Sequence, residues 1–189
     1  MKQALVHITF SFAIICCCSC KQSPEQVRTP AEKFLNFLNT YQSDSLRSLL
    51  ADNFRFHRGY INTSYDKQTF LDKYVSRSKD LHAGFKVVQT SSKDNITSFW
   101  VEDQSDYLKY LDIPTYTWVL SIETDQQQKI TGMLIDTTEG YTKYNAAALE
   151  KGDKFRQWLN EKYPEDSTEI IQNTEGLLTK RLMEYSNSK

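Results

Sequence analysis

All four cysteines of this 189-residue chain lie close together near its start, at Cys16, Cys17, Cys18 and Cys20. The residues that follow contain no thiol, so no disulfide can form among them. Small domains that bury too little apolar surface usually depend on disulfides or metals. Any domain after Cys20 must therefore be stabilised by its hydrophobic core, and the length predicts one domain with a tether.

The segment before the cysteines has the pattern of an export signal. Lys2 precedes an apolar run that is too short to span a bilayer, and small residues lead up to Cys20. Residues 17–20 resemble the lipobox of bacterial lipoproteins, in which the cysteine receives a diacylglycerol and becomes the new N-terminus. This resemblance implies lipidation of Cys20, with Cys18 as the alternative, and a protein anchored to a membrane of the bacterial cell envelope through its N-terminal lipid.

A polar tether follows the signal, and a helix start follows the tether. The tether covers residues 21–28 and contains no periodic apolar residues. Thr29 can cap a helix, Pro30 suits its first position, and Glu32 completes a capping box. Apolar residues then recur at helical spacing, which predicts one helix with a buried face, and a second short helix follows with Leu46, Leu49 and Leu50.

The middle of the chain alternates between strand and helix patterns. Residues 53–58 alternate as a strand does, and a third helix is predicted from about Asp66. Beyond Gly84 the apolar period changes to two, and the short connections favour antiparallel neighbours. The predicted strands are 85–91, 95–103, 114–123 and 129–136.

The C-terminal part returns to the helical pattern. One helix is predicted from Gly140 to Pro164 and a last one from near Ser167, with Ile170 and Ile171 on its apolar face. The chain thus divides into a signal peptide (1–20), a tether (21–28), an α+β domain (29–137) and a helical extension (138–189).

The order of these elements resembles that of the nuclear transport factor 2-like (SnoaL-like) superfamily. The matching residues lie in 31–41, in 46–56 with Leu50-Ala51-Asp52-Asn53, in 70–75, and in the strands that end at Asp136. The resemblance implies an α+β fold, in which a cone-like curved antiparallel sheet packs on the N-terminal helices and leaves a cavity open at one end. Family domains commonly end with the sheet, so the two C-terminal helices are additions.

Such a cavity predicts a site for a small, partly apolar molecule. Aromatic residues on neighbouring predicted strands can line it, and Arg58 or Asp136 can orient the ligand. The alternative is that the rings fill the cone completely. The aromatic candidates for ligand binding are Phe54, Phe56, Trp100, Tyr116 and Trp118.

The resemblance also implies proton-transfer chemistry, because related enzymes use a pocket His, Asp or Tyr in isomerisation or dehydration. His57 is the candidate acid or base, with Asp136 as the other choice. If Phe54 and Phe56 point into the cone, alternation turns Arg58 inward and His57 outward, and a one-residue bulge would reverse this. We interpret His82 as a helix cap.

The remaining charged and metal-ligating residues predict no further site. The acidic cluster of Glu102, Asp103 and Asp106 predicts a solvated hairpin tip. A net charge of -1 without a basic block gives no case for nucleic acid, and the histidine spacing predicts no metal. No cofactor motif is present in the sequence.

The sequence therefore favours an envelope-anchored binding or accessory module. The first alternative is an isomerase or hydro-lyase that uses a pocket acid or base. The second is a protein-interaction module that presents its open sheet face or its C-terminal helices, and homodimerisation stays open.

Overall fold

The computed structural model describes residues 28–166 and 174–189. The lipobox with Cys20 and Cys18 lies outside these residues, and so does the predicted start of the last helix at Ser167 with Ile170 and Ile171. Of the helices within the described ranges, none combines the length and apolarity needed to cross a bilayer.

Two short helices begin the domain, as the sequence predicts. Helix α1 spans Pro30–Asn39, and its capping box is formed, because Glu32 N donates to Thr29 Oγ1 at 3.2 Å and Thr29 N donates to Glu32 Oε2 at 2.7 Å. Helix α2 spans Ser43–Leu49 and buries Leu46. The face that α1 buries consists of Ala31, Phe34, Leu35 and Leu38.

A third helical stretch, α3, combines three parts: Lys67–Thr69, a π-helical turn at Phe70–Val75, and Ser76–Asp80. It begins where Thr69 N donates to Asp66 Oδ1 at 2.8 Å. The π-helical turn buries Phe70, Leu71 and Val75 against the sheet.

The strands of the described residues form one curved, unclosed six-stranded sheet in the order β2-β1-β6-β5-β4-β3. All neighbouring strands are antiparallel except β1 and β6, which are parallel. These two are the first and the last strand in the sequence. This confirms the predicted cone-like α+β fold. The strands are β1 (Leu50–Arg58), β2 (Thr63–Asp66), β3 (Gly84–Lys93), β4 (Ile96–Gln104), β5 (Thr117–Thr124) and β6 (Ile130–Asp136).

Two short elements were not predicted. Strand β2 has 4 residues, too few to show a period, and it pairs with β1 directly after the 3₁₀ turn Gly59–Ile61. Helix α4, Asp106–Leu111, lies between β4 and β5, and its N-cap Ser105 accepts a hydrogen bond from Leu108 N at 3.2 Å. Its sequence had been interpreted as part of a strand connection.

The concave face of the sheet carries the main core. Phe54, Phe56 and Phe99 point toward α1 and α3 and have at most 2% exposure. Alternation along each strand puts every second residue on this face, as period two requires. Among the other buried residues that the strands add to this core are Val101, Trp118, Leu120, Ile122, Met133 and Ile135.

The C-terminal helices build a second core. Helix α5 spans Tyr141–Lys162, and helix α6 spans Leu177–Asn187. Both pack on α4, and Thr179 Oγ1 donates to the Asp80 carbonyl at 2.7 Å, which joins α6 to the end of α3. The buried residues of this second core are Leu108, Leu111, Ile113, Phe155, Leu159, Leu178 and Leu182.

Candidate functional site

A cavity of about 170 Å³ opens on the concave face of the sheet. Side chains of α1, α3 and the segment between α3 and β3 face strands β4, β5 and β6 across it. The aromatic and acidic groups of its lining are Tyr60, Tyr74, Phe85, Trp118 and Asp103.

Asp103 places a carboxyl group in this cavity. It lies near the end of β4 with the parity of Phe99 and Val101, so its side chain shares their concave face. Its Oδ1 accepts a hydrogen bond from Tyr116 N at 3.0 Å. Burial raises the pKa of the Asp103 carboxyl, while hydrogen bonds from Tyr116 N and the Trp118 indole oppose that rise.

The prediction of a solvated hairpin tip for the acidic cluster is wrong for Asp103. The connection between β4 and β5 contains helix α4 and is not a hairpin tip, and Asp103 at the end of β4 lines the cavity. Its two acidic neighbours do have exposed partners. Glu102 Oε2 pairs with Lys86 Nζ at 3.0 Å, and Asp106 Oδ2 lies 2.7 Å from His82 Nδ1.

Trp118 is the centre of the aromatic wall. Its side chain is 7% exposed, and its ring centroid lies 4.9 Å from that of Tyr60 and 4.8 Å from that of Tyr116. The Tyr116 hydroxyl donates to the Thr138 carbonyl at 2.6 Å and accepts from Thr138 N at 2.6 Å, which fixes the ring. Trp118 is therefore held in place by neighbours that are themselves anchored.

Two tyrosines supply hydroxyl groups from outside the predicted strands. Tyr60 belongs to the 3₁₀ turn Gly59–Ile61, and Tyr74 belongs to the π-helical turn. Burial raises the pKa of both hydroxyls, so both stay protonated near neutral pH and can donate hydrogen bonds. Neither tyrosine is among the residues that the sequence predicts for ligand binding, because both lie outside the strands.

Helix α5 brings a third tyrosine to Asp103. The Tyr144 hydroxyl donates to Asp103 Oδ2 at 3.3 Å, and its ring stacks on Tyr116 with centroids 4.7 Å apart. Burial, followed by the charge of Asp103, raises the pKa of the Tyr144 hydroxyl. The C-terminal extension thus supports the carboxyl group of the cavity.

Of the residues predicted for ligand binding, Trp118 lines the cavity and Tyr116 supports it from behind. Phe54 and Phe56 are completely buried and pack on Phe70, with ring centroids 5.2 and 5.3 Å from it. They are part of the core beneath the cavity and are not among its lining residues.

Arg58 has the inward parity that alternation predicts for it. Its Nη2 donates to the Tyr65 hydroxyl at 2.6 Å, and Tyr65 pairs with Phe56 across β1 and β2. Its Nε donates to Thr63 Oγ1 at 3.0 Å. Burial raises the pKa of the Tyr60 hydroxyl and the charge of Arg58 opposes this rise, so Arg58 acts on the cavity through that residue.

The other predicted residues lie on the convex face. Trp100 pairs with Val119 and alternates with the buried Phe99 and Val101. Asp136 is exposed, and its Oδ1 accepts from Thr137 N at 2.7 Å. His57 is opposite Leu134 in the register of β1 and β6, so its parity is outward. No bulge intervenes in the described register from Arg55 to Arg58 that would bring His57 to the cavity.

His82 lies outside the cavity. Its backbone N–H donates to the Lys79 carbonyl at 3.1 Å at the end of α3, and its side chain pairs with Asp106. Among the described residues, no three His, Cys, Asp or Glu side chains converge in a way that could hold a metal ion.

Comparison with known proteins identifies the fold. Neither the models of protein families nor the curated proteins give a match to this chain. Solved structures do match. A candidate SnoaL-like polyketide cyclase from Shewanella denitrificans OS-217 is 12% identical, with a TM-score of 0.52 over 64% of this chain and 94% of that one. This likeness shows that the chain has the nuclear transport factor 2-like, SnoaL-like fold.

Two further solved structures are similar at lower scores. An LEH-like epoxide hydrolase from M. tuberculosis is 15% identical, with a TM-score of 0.49 over 65% of this chain and 88% of that one. A nuclear transport factor 2-like protein of unknown function from Cytophaga hutchinsonii is 12% identical, with a TM-score of 0.45 over 60% of this chain and 94% of that one.

Proposed function

We propose that this chain is an envelope-anchored lipoprotein whose domain binds a small, partly apolar molecule in the aromatic cavity. The observation that carries the proposal is the pairing of a carboxyl group, Asp103, with the rings of Trp118, Tyr60 and Tyr74 in one cavity. Ligand sites commonly combine apolar walls with a few polar groups that fix orientation.

The size of the cavity limits the ligand. Drug-sized ligands need pockets of roughly 300–1,000 Å³, whereas an apolar cavity of roughly 150 Å³ holds a molecule the size of benzene. A volume of about 170 Å³ is in the second range. We therefore expect a compact ligand, or a compact end group of a longer molecule that extends through the open side.

The anchoring half of the proposal rests on the sequence before the domain. Lys2, the apolar run and the small residues before Cys20 form the signal, and residues 21–28 form a polar tether to α1. Several acyl chains on one cysteine bind a membrane durably, since each buried methylene contributes roughly 0.8 kcal/mol. The binding domain would then act at a membrane surface.

A second function, proton transfer, is favoured by one observation. Burial raises the pKa of Asp103, which brings this carboxyl closer to the range in which an acid or base works near neutral pH. The protonated hydroxyls of Tyr60 and Tyr74 can donate hydrogen bonds to an oxygen of the substrate. Asp103 takes the place of His57 and Asp136 in this alternative, because neither of those lines the cavity.

Native mass spectrometry tests the binding function. The full chain is released from the envelope of its own cells in a sugar-headgroup detergent, and we expect one small molecule bound per chain. Trp118→Ala should reduce its occupancy at least tenfold, whereas Trp100→Ala removes a ring from the convex face and should retain the ligand. If Trp118→Ala does not fold, Tyr60→Ala replaces it as the cavity variant, because Tyr60 is only half-buried.

Two results would contradict the proposal. One is a wild-type protein that carries no small molecule. The other is equal occupancy in the wild type and in both cavity variants, which would place the ligand elsewhere.

A further inference from the structure

The cavity has an unbalanced charge. Among the described residues that line it, Asp103 is the one acid, and no Lys, Arg or His is present. Arg58, whose charge acts on the Tyr60 hydroxyl, makes hydrogen bonds to Tyr65 and Thr63. A partly buried carboxylate without a cationic partner loses solvation, so a positive charge on the ligand would stabilise it.

We infer that the ligand is a small organic cation, an alkylated ammonium group whose charge pairs with the Asp103 carboxylate inside the aromatic ring set. This inference rests on the proposed binding function and names the ligand class of the same site. The ring set consists of Trp118, Tyr60, Tyr74 and Phe85, all of which line the cavity with Asp103.

The aromatic rings favour an alkylated cation. A cation within about 6 Å of an aromatic face is attracted by the ring quadrupole, most strongly by Trp, and several rings around one quaternary ammonium group is a known recognition mode. Trp118 and Tyr60 are adjacent, with centroids 4.9 Å apart and planes tilted by 45°. Asp103 lines the same cavity as both rings.

The lining suits an alkylated cation better than other charged ligands. Leu38, Ala83 and Ile135 offer alkyl contacts, which match the alkyl groups of a substituted ammonium and not the hydration shell of a bare metal ion. An anion would face the Asp103 carboxylate without a lining cation to balance it. A neutral ligand would leave the charge of that carboxylate unbalanced, although its oxygens accept hydrogen bonds from Tyr116 N and the Tyr144 hydroxyl. An alkylated ammonium matches both the apolar part of the lining and the negative charge of Asp103.

The charge of Asp103 makes the expected affinity dependent on pH. The other titratable groups near Asp103 are Tyr144 on α5, Tyr60 in the 3₁₀ turn and Tyr74 on α3, with Arg58 behind Tyr60. The three tyrosines stay neutral across the acid range, since burial raises each tyrosine pKa. Protonation of Asp103 is then the event that weakens the binding of a cation at acid pH.

Isothermal titration calorimetry on the full chain, in a sugar-headgroup detergent, tests the inference. The probes are choline and its uncharged isostere, in which carbon replaces the ammonium nitrogen. We expect choline to bind at least tenfold more tightly than the isostere near neutral pH, and this preference to disappear when Asp103 is protonated. Asp103→Asn should abolish the preference, and Glu102→Gln, which removes the neighbouring charge on the convex side, should keep it.

The outcomes separate the inference from the binding function. Equal binding of the two probes, or tighter binding of the isostere, overturns the cation inference and leaves the binding function standing. A choline preference that survives Asp103→Asn also overturns it. If neither probe binds, the inference fails, and the co-purifying mass in the native spectrum decides the binding function on its own.

Discussion

The hydroxyl group of Tyr144 lies 3.3 Å from Asp103 Oδ2 and donates a hydrogen bond to it. The two residues come from different parts of the chain. Asp103 is on the sheet that the fold family shares, and Tyr144 is on α5 in the C-terminal extension, where it contacts both buried clusters. The extension therefore does more than add a packing layer, because it reaches the one acid of the described cavity lining.

Removing the Tyr144 hydroxyl should raise the pKa of Asp103 further. The hydrogen bond from Tyr144 favours the charged carboxylate, so Tyr144→Phe leaves burial, the larger effect, less opposed. The Trp118 indole lines the same cavity as this carboxylate, so the indole nitrogen resonance of Trp118 should report the titration of Asp103. Tyr185→Phe, within the second core, is the control and should leave the midpoint unchanged. A lower midpoint in Tyr144→Phe would contradict this role.

Asp103→Asn should stabilise the protein near neutral pH. Because burial raises the pKa of Asp103 above its ordinary value of 3.8, the folded state binds this proton more tightly than the unfolded state does. Stability is then lost as the pH rises through the window between 3.8 and the raised pKa, and asparagine avoids that loss.

The measurement is thermal unfolding as a function of pH. We expect Asp103→Asn to unfold at a higher temperature than the wild type at neutral pH, because asparagine carries no charge whose burial is unfavourable. The difference should vanish below pH 3.8, where both forms are neutral. Glu102→Gln controls for net charge. The prediction would be wrong if the wild type were more stable than Asp103→Asn at neutral pH. The hydrogen bonds to the carboxylate would then outweigh the cost of its burial.

Leu182→Ala should destabilise the whole domain. Leu182 on α6 has 0% exposure in the second core, and removing a buried leucine typically costs about 2–5 kcal/mol. Met183, the next residue, is 44% exposed, and its change to alanine should alter the unfolding free energy by less than about 0.5 kcal/mol. The measurement is chemical denaturation. Equal, small effects of both variants would show that α6 does not contribute to the stability of the fold.

Cys20→Ser should abolish lipidation. Serine has no thiol to accept the diacylglycerol, so the variant should lose incorporation of labelled fatty acid and leave the membrane fraction. Cys18→Ser, which changes the alternative residue, should keep both. The reverse pattern would move the lipidation site to Cys18, and unchanged labelling in both variants would exclude a lipobox.

The fold was predictable where the signals are local. The capping box at Thr29 and Glu32 depends on residues three apart, and the alternation of β5 is visible in its own residues. The parity of β1 also placed Arg58 correctly on the side of Phe56. Each of these requires only neighbours along the chain.

The cavity was less predictable, because it depends on packing between distant elements. Tyr60 and Tyr74 face it from a 3₁₀ turn and a π-helical turn, and neither turn has a periodic pattern in the sequence. For Asp103 a signal was available. Extending the alternation of Phe99 and Val101 by one step turns Asp103 to the concave face. The acidic neighbours of Asp103 instead favoured the interpretation as a solvated hairpin tip. The contact with Tyr144 required the docking of α5, which sequence alone does not give.

The most direct test of the central claim uses the tryptophans of the chain. The sequence holds 3, so selective labelling gives a spectrum of three indole signals, from Trp100 on the convex face, Trp118 in the cavity and Trp158 in the second core. The full chain is titrated with a library of small cations, neutral molecules and anions. We predict compounds that shift the Trp118 signal while the other two stay in place. A library in which no compound shifts Trp118, or in which compounds shift all three signals alike, would contradict a ligand site in this cavity.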